Sequence, residues 1–176
     1  MSQSSEDRSP LRVLARGDVN ALGQLYDAHA ERVYHLLLAR GLDPPTAEDV
    51  VQEVFLSLLD RGSAVAKIDN VAAYLLGIAR NLAARHLRRR RRFVSNPRCV
   101  AQVDAGEDRA LGNAAAREAL RQLPPEQAEV VALKVWHELT FAEIGEALGI
   151  SPNTAASRYR YALEKLRDGW GGMDDE

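Results

Sequence analysis

Residues 140–167 read TFAEIGEALGISPNTAASRYRYALEKLR, and this stretch decides the fold of the C-terminal part of the chain. Thr140 and Glu143 have the spacing of a capping box, which predicts the start of a short helix. Gly149 then supplies a turn, and Ser151, followed directly by a proline, predicts the N-cap of a longer helix. Two helices joined by a short turn that contains glycine are typical of a helix-turn-helix.

Polar side chains are expected along one face of the second helix of this motif. Its periodicity turns inward Ala155, Tyr159, Ala162, Leu163 and Leu166. The outward positions of its first two turns, where a recognition helix meets base edges, are Asn153, Thr154, Ser157 and Arg158. The side chains that could reach phosphates are Arg160, Lys165 and Arg167. An ordinary helical hairpin with a solvated polar face is the alternative interpretation.

The N-terminal half of the chain shows the three- and four-residue spacing of apolar side chains that indicates helices. A short helix is expected over residues 11–15, and a long one begins with Asp18 as N-cap. Thr46 and Asp49 predict a capping box for the next helix, and Asp69 is the expected N-cap of a third. The expected inward positions include Leu22, Leu25, Tyr26, Val33, Leu36 and Leu37; then Val50, Val51, Val54, Phe55, Leu58 and Leu59; then Tyr74, Leu75, Ile78, Leu82 and Leu87.

The chain is therefore predicted to be all-α, with two helical units. No stretch alternates with the period of two that a half-buried strand requires. Residues 8–93 form the first unit, a helical bundle. Residues 94–112 lose the periodicity and contain two glycines and a proline, which indicates a flexible linker of about 20 residues. Residues 113–168 form the second unit, four helices that include the helix-turn-helix.

Charge is sorted along the chain, although the formal net charge is only −2. Residues 43–69 contain six acidic and two basic side chains, whereas residues 70–103 contain eight arginines and no acid. Because fields in physiological salt are screened over about 10 Å, a local basic block can bind a polyanion on a mildly acidic protein. The basic block also has a simpler interpretation, a solvated helix end, since Arg88–Arg92 encircle the helix axis.

The sequence gives little support to catalysis, to a metal site or to a membrane span. One cysteine excludes a disulfide scaffold, and His137-Glu138 lacks the second histidine of a zinc-protease motif. Neither a glycine-rich phosphate loop nor a nucleophile elbow is present. His29 and His35 fall on different helix faces and are interpreted as surface or partly buried side chains. We expect no cofactor, no metal, no enzyme activity and no membrane insertion, and a cytoplasmic location, since residues 1–7 do not have the pattern of a secretory signal.

Three segments in order resemble a bacterial RNA polymerase sigma factor of the extracytoplasmic-function type. AEDVVQEVF at 47–55 is similar to the polymerase-binding helix of that family. YLLGIARNL at 74–82, running into the arginine block, resembles its helix for promoter melting and minus-ten recognition. Residues 123–167 resemble its domain that reads the minus-thirty-five element. The resemblance covers about 18–167, in the expected order.

The resemblance implies three sets of site residues. The set for binding the core polymerase is Asp49, Gln52 and Glu53. The set for the minus-ten element is Tyr74, Arg80, Asn81, Arg85, Arg88, Arg89 and Arg91. The set for the minus-thirty-five element is Asn153, Thr154, Ser157, Arg158 and Arg160. Tyr74 has two open roles, stacking on a base or filling the core.

The implied partners are core RNA polymerase, promoter DNA and an anti-sigma factor. The DNA would be duplex at the upstream element and single-stranded at the minus-ten element, with the loop 62–69 forming part of a pocket for an unstacked base. Two departures from the family pattern weaken the upstream contact, because Ala156 and Tyr161 stand where basic residues are expected. An enzyme and a stand-alone helix-turn-helix repressor are the competing classes of function.

Overall fold

The computed structural model describes residues 10–94 and 114–170, and all the regular elements within these ranges are helical. The N-terminal unit (residues 10–94) contains α1 (Pro10–Ala15), α2 (Asn20–Ala39), α3 (Pro44–Asp60), a 3₁₀ helix (Gly62–Lys67) and α4 (Val71–Val94). The C-terminal unit (residues 114–170) contains α5 (Ala114–Arg121), α6 (Pro125–Trp136), α7 (Phe141–Leu148) and α8 (Pro152–Trp170). The all-α prediction is confirmed. Most of the predicted linker and Cys99 lie outside the described residues.

The starts of three helices differ from the prediction. The N-cap of α2 is Val19, and the Asp18 carboxylate accepts the backbone N–H of Asn20 at 3.0 Å. The N-cap of α3 is Asp43. The predicted capping box at Thr46 is wrong, because the Thr46 hydroxyl instead donates to Asp43 Oδ2 at 2.9 Å.

The start of α4 is the third case. Its first turn is capped by Asn70, whose side-chain oxygen accepts the backbone N–H of Ala73 at 2.8 Å. The predicted Asp69 cap is therefore wrong by one residue. Asn70 is as good an N-cap as aspartate, so propensity alone could not separate two adjacent candidates.

Most of the side chains that were predicted to face the core do so. Leu36, Leu37 and Leu58 are fully buried, together with most of the other predicted positions of α2, α3 and α4. Three predicted inward side chains are exposed instead, namely Tyr26 at 42%, Leu59 at 39% and Leu163 at 45%. Leu59 and Leu163 lie at the edges of their apolar stripes, where a small rotation of the helix decides between core and solvent. Tyr26 instead lines a shallow groove between α2 and α3.

The two units pack against each other. Helix α2 contacts α5 and α6, and α4 contacts α7, the first helix of the helix-turn-helix. The main apolar core is continuous across this boundary, since Val130, Leu133 and Ile144 belong to the same buried cluster as Leu36 and Leu75. We call this boundary the inter-unit interface. It places charged side chains of α4 beside the C-terminal unit.

Candidate nucleic-acid interface

The acidic edge is formed by Asp49, Gln52 and Glu53 on α3. All three side chains are exposed, and their three- and four-residue spacing puts them on one side of the helix. Within the described residues, none of the three takes part in a side-chain hydrogen bond or an ion pair. Their hydrogen-bonding capacity is therefore directed outward, as a docking surface for a basic partner requires.

Apolar side chains that the sequence interpretation missed adjoin the acidic edge. Val19 is 63% exposed and Leu56 is 55% exposed. Together with Tyr26 and Gln52 they line a shallow groove of about 370 Å³ between α2 and α3. A second cleft of about 400 Å³ continues past Gln52 and is lined by Tyr26, Ala30, Glu31, Tyr34, Glu48, Val51 and Gln52. Leu56 falls outside the buried stripe of α3, which was the available signal for its exposure.

One side of α4 carries most of the residues assigned to the minus-ten element. Successive residues on a helix are about 100° apart, so Asn81, Arg85 and Arg88 fall within about 40° of the direction of Tyr74. Asn81, Arg85 and Arg88 are exposed, and Arg89 is exposed next to them. We call Asn81, Arg85 and Arg88 the presented row of α4. The side chain of Arg91 lies outside the described residues.

Tyr74 is half-buried and has a polar partner. Its hydroxyl accepts a hydrogen bond from Arg61 Nη1 at 3.0 Å, and the guanidinium carbon of Arg61 lies 5.0 Å from the ring centroid. Arg61 stands at the start of the 3₁₀ helix that replaces the predicted loop at 62–69. Arg61 therefore covers the tyrosine ring on which a base would have to stack.

Arg80 is set apart from the presented row of α4. It points about 120° away from Tyr74 around the helix axis. Its Nε lies 3.2 Å from Oε1 of Glu129, and its Nη1 donates to the carbonyl oxygen of Leu148 at 3.2 Å. Only 32% of the side chain is exposed. The structure therefore brings Asn81, Arg85 and Arg88 together and places Arg80 in the inter-unit interface.

The start of the helix-turn-helix is formed as the sequence predicts. Thr140 Oγ1 accepts the backbone N–H of Glu143 at 3.2 Å, and a Glu143 carboxylate oxygen accepts the Thr140 backbone N–H at 2.7 Å. These bonds from Thr140 hold the pKa of Glu143 below its usual value. Gly149 ends α7 with φ +68, and the Ser151 hydroxyl oxygen accepts the N–H of Thr154 at 3.0 Å.

Gly145 is a constraint of this motif that the sequence interpretation missed. A Cβ on Gly145 would lie 2.7 Å from the carbonyl oxygen of Ile150. The turn between α7 and α8 therefore approaches the preceding helix too closely for any side chain at this position. A glycine inside a short helix, four residues before the glycine that ends it, was the available signal.

The outward residues of α8 are presented to different degrees. Asn153, Thr154 and Arg160 are exposed, whereas Ser157 and Arg158 are half-buried. Arg158 Nη1 is buried and has no hydrogen-bond partner among the described residues. The four residues assigned to base edges thus share the N-terminal half of α8, but Arg158 must turn outward to reach a base.

A pair of histidines lies in the inter-unit interface. His35, which is 2% exposed, approaches His137 with a distance of 3.0 Å between Nδ1 and Nε2. Burial lowers the pKa of His137 to about 4; His35 and Arg32 act in the same direction, and Glu31 opposes them. The expectation that His35 is a surface or partly buried side chain is wrong, because α6 and the residue after it cover this end of α2. His29 is half-buried, and burial, followed by Arg32, lowers its pKa.

Comparisons with known proteins decide the family. Residues 25–93 match the family described as Sigma-70 region 2, and residues 113–166 match Sigma-70, region 4. The chain is 30% identical over 165 residues to RNA polymerase sigma factor CarQ of Myxococcus xanthus, covering 91% of this chain and 95% of CarQ. The chain belongs to the extracytoplasmic-function sigma factors.

A second relative of this sigma factor is longer. The ECF RNA polymerase sigma factor BldN of Streptomyces coelicolor is 34% identical over 143 residues, which cover 76% of this chain and 54% of BldN. The chain thus matches about half the length of BldN.

Two solved structures share the fold of this sigma factor. CnrH, solved in complex with the cytosolic domain of CnrY, has a TM-score of 0.69 at 22% identity and covers 97% of this chain and 100% of its own. RpoE from Bartonella quintana, solved with the anti-sigma factor NepR, has a TM-score of 0.64 at 21% identity, covering 88% of this chain and 98% of its own. Among the described helices of this sigma factor, none has the length and apolar composition needed to cross a bilayer.

Proposed function

We propose that this sigma factor binds core RNA polymerase through the acidic edge and directs it to promoters by contacting the minus-ten and minus-thirty-five elements. The observation that carries the proposal is the separation of charge between two exposed helix surfaces. Asp49 and Glu53 on α3 are exposed and have no side-chain partner within residues 10–94 and 114–170. The presented row of α4 supplies cations and an amide on a different helix. Each surface suits one partner, a basic protein in the first case and a nucleic acid in the second.

The presented row of α4 supports contact with the minus-ten strand. Arg85 and Arg88 can bind phosphates, and Asn81 offers both a donor and an acceptor to the edge of an unpaired base. Tyr74 provides an aromatic face beside them once Arg61 moves aside, and stacking on such a face is a common way to hold a single-stranded base. Holding bases outside the duplex favours strand separation, which is how this domain would help to melt the promoter.

The C-terminal unit supports recognition of duplex DNA upstream. The capping bonds at Thr140 and Ser151 fix both helices of the helix-turn-helix, and the exposed Asn153 and Thr154 occupy the start of the recognition helix. Arg160 is exposed on the next turn, where it can reach a phosphate. With basic residues sparse at the end of α8, we expect this unit to bind weakly alone and to act together with the N-terminal unit.

The proposed partners are core polymerase, promoter DNA and an anti-sigma factor, and the protein would act in the cytoplasm without catalysis of its own. RpoE of Bartonella quintana was solved bound to an anti-sigma factor, which is the ground for the third partner. The proposed domain for polymerase binding and minus-ten recognition is residues 8–93. The proposed linker is residues 94–112, and the proposed minus-thirty-five domain is residues 113–168.

Co-elution with purified core polymerase tests this function. The full chain should co-elute with the core enzyme and enable transcription from start sites mapped after its overexpression. A stand-alone repressor should bind duplex DNA without co-eluting, and an enzyme should do neither. A chain that binds DNA but does not co-elute with core polymerase would contradict the proposal.

A further inference from the structure

Glu129 is an acidic side chain placed where an apolar one is expected. It lies on α6 between Ala128 and Val130, and its side chain is fully buried. It forms an ion pair with Arg40, the C-cap residue of α2, and a second ion pair with Arg80 of α4. A single carboxylate of the C-terminal unit is therefore held by two guanidinium groups of the N-terminal unit.

Further polar contacts cross the same boundary around this cluster. Arg80 also donates to the carbonyl oxygen of Leu148 at the end of α7. The side-chain amide of Asn70 donates to Oε1 of Glu146 at 2.7 Å. These contacts fix α7, the first helix of the helix-turn-helix, against α4, next to the helix side that carries the presented row.

This closed arrangement is incompatible with reading two promoter elements at once. Elements named for positions 10 and 35 lie about 25 base pairs apart, which is about 85 Å of duplex at 3.4 Å per base pair. The closed form holds the helix-turn-helix in direct contact with α4, so both units cannot reach their elements without separating. The separation must break the ion pairs of Glu129, because its two partners belong to the other unit.

Electrostatics make this cluster selective for the closed state. A carboxylate loses its hydration when it is buried, and the two arginines, both at Oε1, offset part of that loss only while the units are in contact. Oε2 is buried and has no hydrogen-bond partner among the described residues. In the open state Glu129 returns to water and Arg80 becomes available to phosphates. Closing therefore removes one of the cations assigned to the minus-ten strand and uses it as an internal counterion.

We propose that Glu129, held by Arg40 and Arg80, is an intramolecular latch that keeps the two units closed and withholds Arg80 from DNA until polymerase opens the chain. The part of this inference that concerns core polymerase and DNA rests on the proposed function. Core polymerase that binds only the open form binds with an affinity reduced by the fraction of open molecules. Weakening the latch should therefore tighten core binding without any new contact.

The test compares Glu129→Gln with Glu126→Gln in the full chain. Glu126 lies one turn earlier on α6 and is exposed, so the control removes the same charge without touching the latch. Donor and acceptor dyes are attached at Ala66→Cys and Gln122→Cys, two exposed positions on different units, in a Cys99→Ser background. Single-molecule energy transfer then reports the closed fraction, and titration with core polymerase reports the affinity.

The expected result is an increase of about tenfold in the ratio of open to closed molecules and a similar increase in core affinity for Glu129→Gln, with no change for Glu126→Gln. Arg40→Gln breaks the latch from the other unit and should act in the same direction. Circular dichroism checks that each variant is folded; should Glu129→Gln lose helicity, Arg40→Gln decides the question by the same two measurements.

The outcomes separate the latch from the proposed function. Folded Glu129→Gln and Arg40→Gln proteins with unchanged energy transfer would overturn the latch, even if all the variants bind core polymerase and support transcription. Opening of both variants without any binding of core polymerase by the wild-type chain would support the latch and overturn the proposed function.

Discussion

The acidic edge of α3 and the Arg80 side of α4 are both charged helix surfaces, but the structure uses them differently. Asp49 and Glu53 are exposed and have no charged partner among the described residues, so their charge is available to another molecule. Arg80 is paired with the buried Glu129. Charge on a helix is thus not by itself a binding surface. What separates the two cases is whether another part of the same chain supplies the counterion.

Reversing charge on the acidic edge should have the largest effect. We expect Asp49→Lys with Glu53→Lys to reduce the affinity for core polymerase at least about 100-fold, because like charges opposed across an interface cost several kcal/mol. The free energy of unfolding should change by no more than about 0.5 kcal/mol, since both side chains are exposed. Affinity is measured by titration with labelled core enzyme, and stability by urea unfolding.

The matched control reverses two exposed acids elsewhere, Glu126→Lys with Asp168→Lys, and changes the net charge by the same amount. If this control weakened core binding as much as the double change on α3, general electrostatic attraction would explain the binding and the acidic edge would lose its assigned role.

Arg158 is intermediate between the exposed acidic edge and the paired Arg80. It is half-buried, and one of its nitrogens has no partner among the described residues. Arg158→Ala should weaken promoter binding by the holoenzyme by about 1–3 kcal/mol, and the loss should be concentrated at one base pair of the minus-thirty-five element. Competition between promoter variants in a run-off transcription assay measures it.

Arg167→Ala is the control for Arg158, since an exposed arginine at the end of α8 can reach only phosphates. It should weaken binding evenly across promoter sequences and reduce the salt dependence. Normal transcription by the Arg158→Ala protein would show that Arg158 keeps its buried position and does not read a base.

The His35–His137 pair in the inter-unit interface should make the stability of the folded chain depend on pH. The pKa of His137 is about 4 in the folded chain and about 6.5 when the chain is unfolded, so the unfolded chain binds more protons between these values. The free energy of unfolding should therefore fall as the pH falls below 6.5 towards 4. The loss should be on the order of 1–2 kcal/mol, a reduced figure because the ring is half-exposed.

Urea unfolding at pH 7 and pH 5 measures this loss, and His137→Gln should remove much of the difference. Glutamine can still hydrogen-bond to His35 but does not take up a proton. The other charged groups near His137 are Arg32 and Glu31, which the variant leaves in place. An identical pH dependence for wild type and variant would assign the loss to other groups.

The local features of the fold could be predicted from the sequence, and the inter-unit interface could not. The capping box at Thr140, the turn at Gly149 and the N-cap at Ser151 all depend on hydrogen bonds between residues a few positions apart, which a sequence pattern records directly. The predicted start of α3 was wrong because two nearby residues compete as caps. Asp43 and Thr46 both favour caps, and the two prolines after Asp43 make it the better start because proline suits the first helical turn.

The features of the candidate site that the sequence did not predict depend on contacts between residues far apart in the chain. Arg40 and Glu129 are 89 positions apart, and His35 and His137 are 102 positions apart. Helical periodicity tells which face of α2 or α6 is apolar, but it does not tell which helix covers that face. Glu129 is an acid within an apolar run, and this was the one local sign that a cation must come from elsewhere.

The smallest predicted effect concerns the cap that positions α7 against α4. Thr140→Ala removes the side-chain oxygen that accepts the backbone N–H of Glu143, and the free energy of unfolding should fall by about 1 kcal/mol. Because α7 carries the Leu148 carbonyl and Glu146 that contact α4, fraying at its start should also increase the open fraction measured by energy transfer. Glu143→Gln is the matched control, since glutamine retains the reciprocal bond of a capping box and should cost only a few tenths of a kcal/mol. A loss of about 1 kcal/mol for Glu143→Gln with almost none for Thr140→Ala would mean that the charge of Glu143, and not the capping geometry, stabilises the start of the helix-turn-helix.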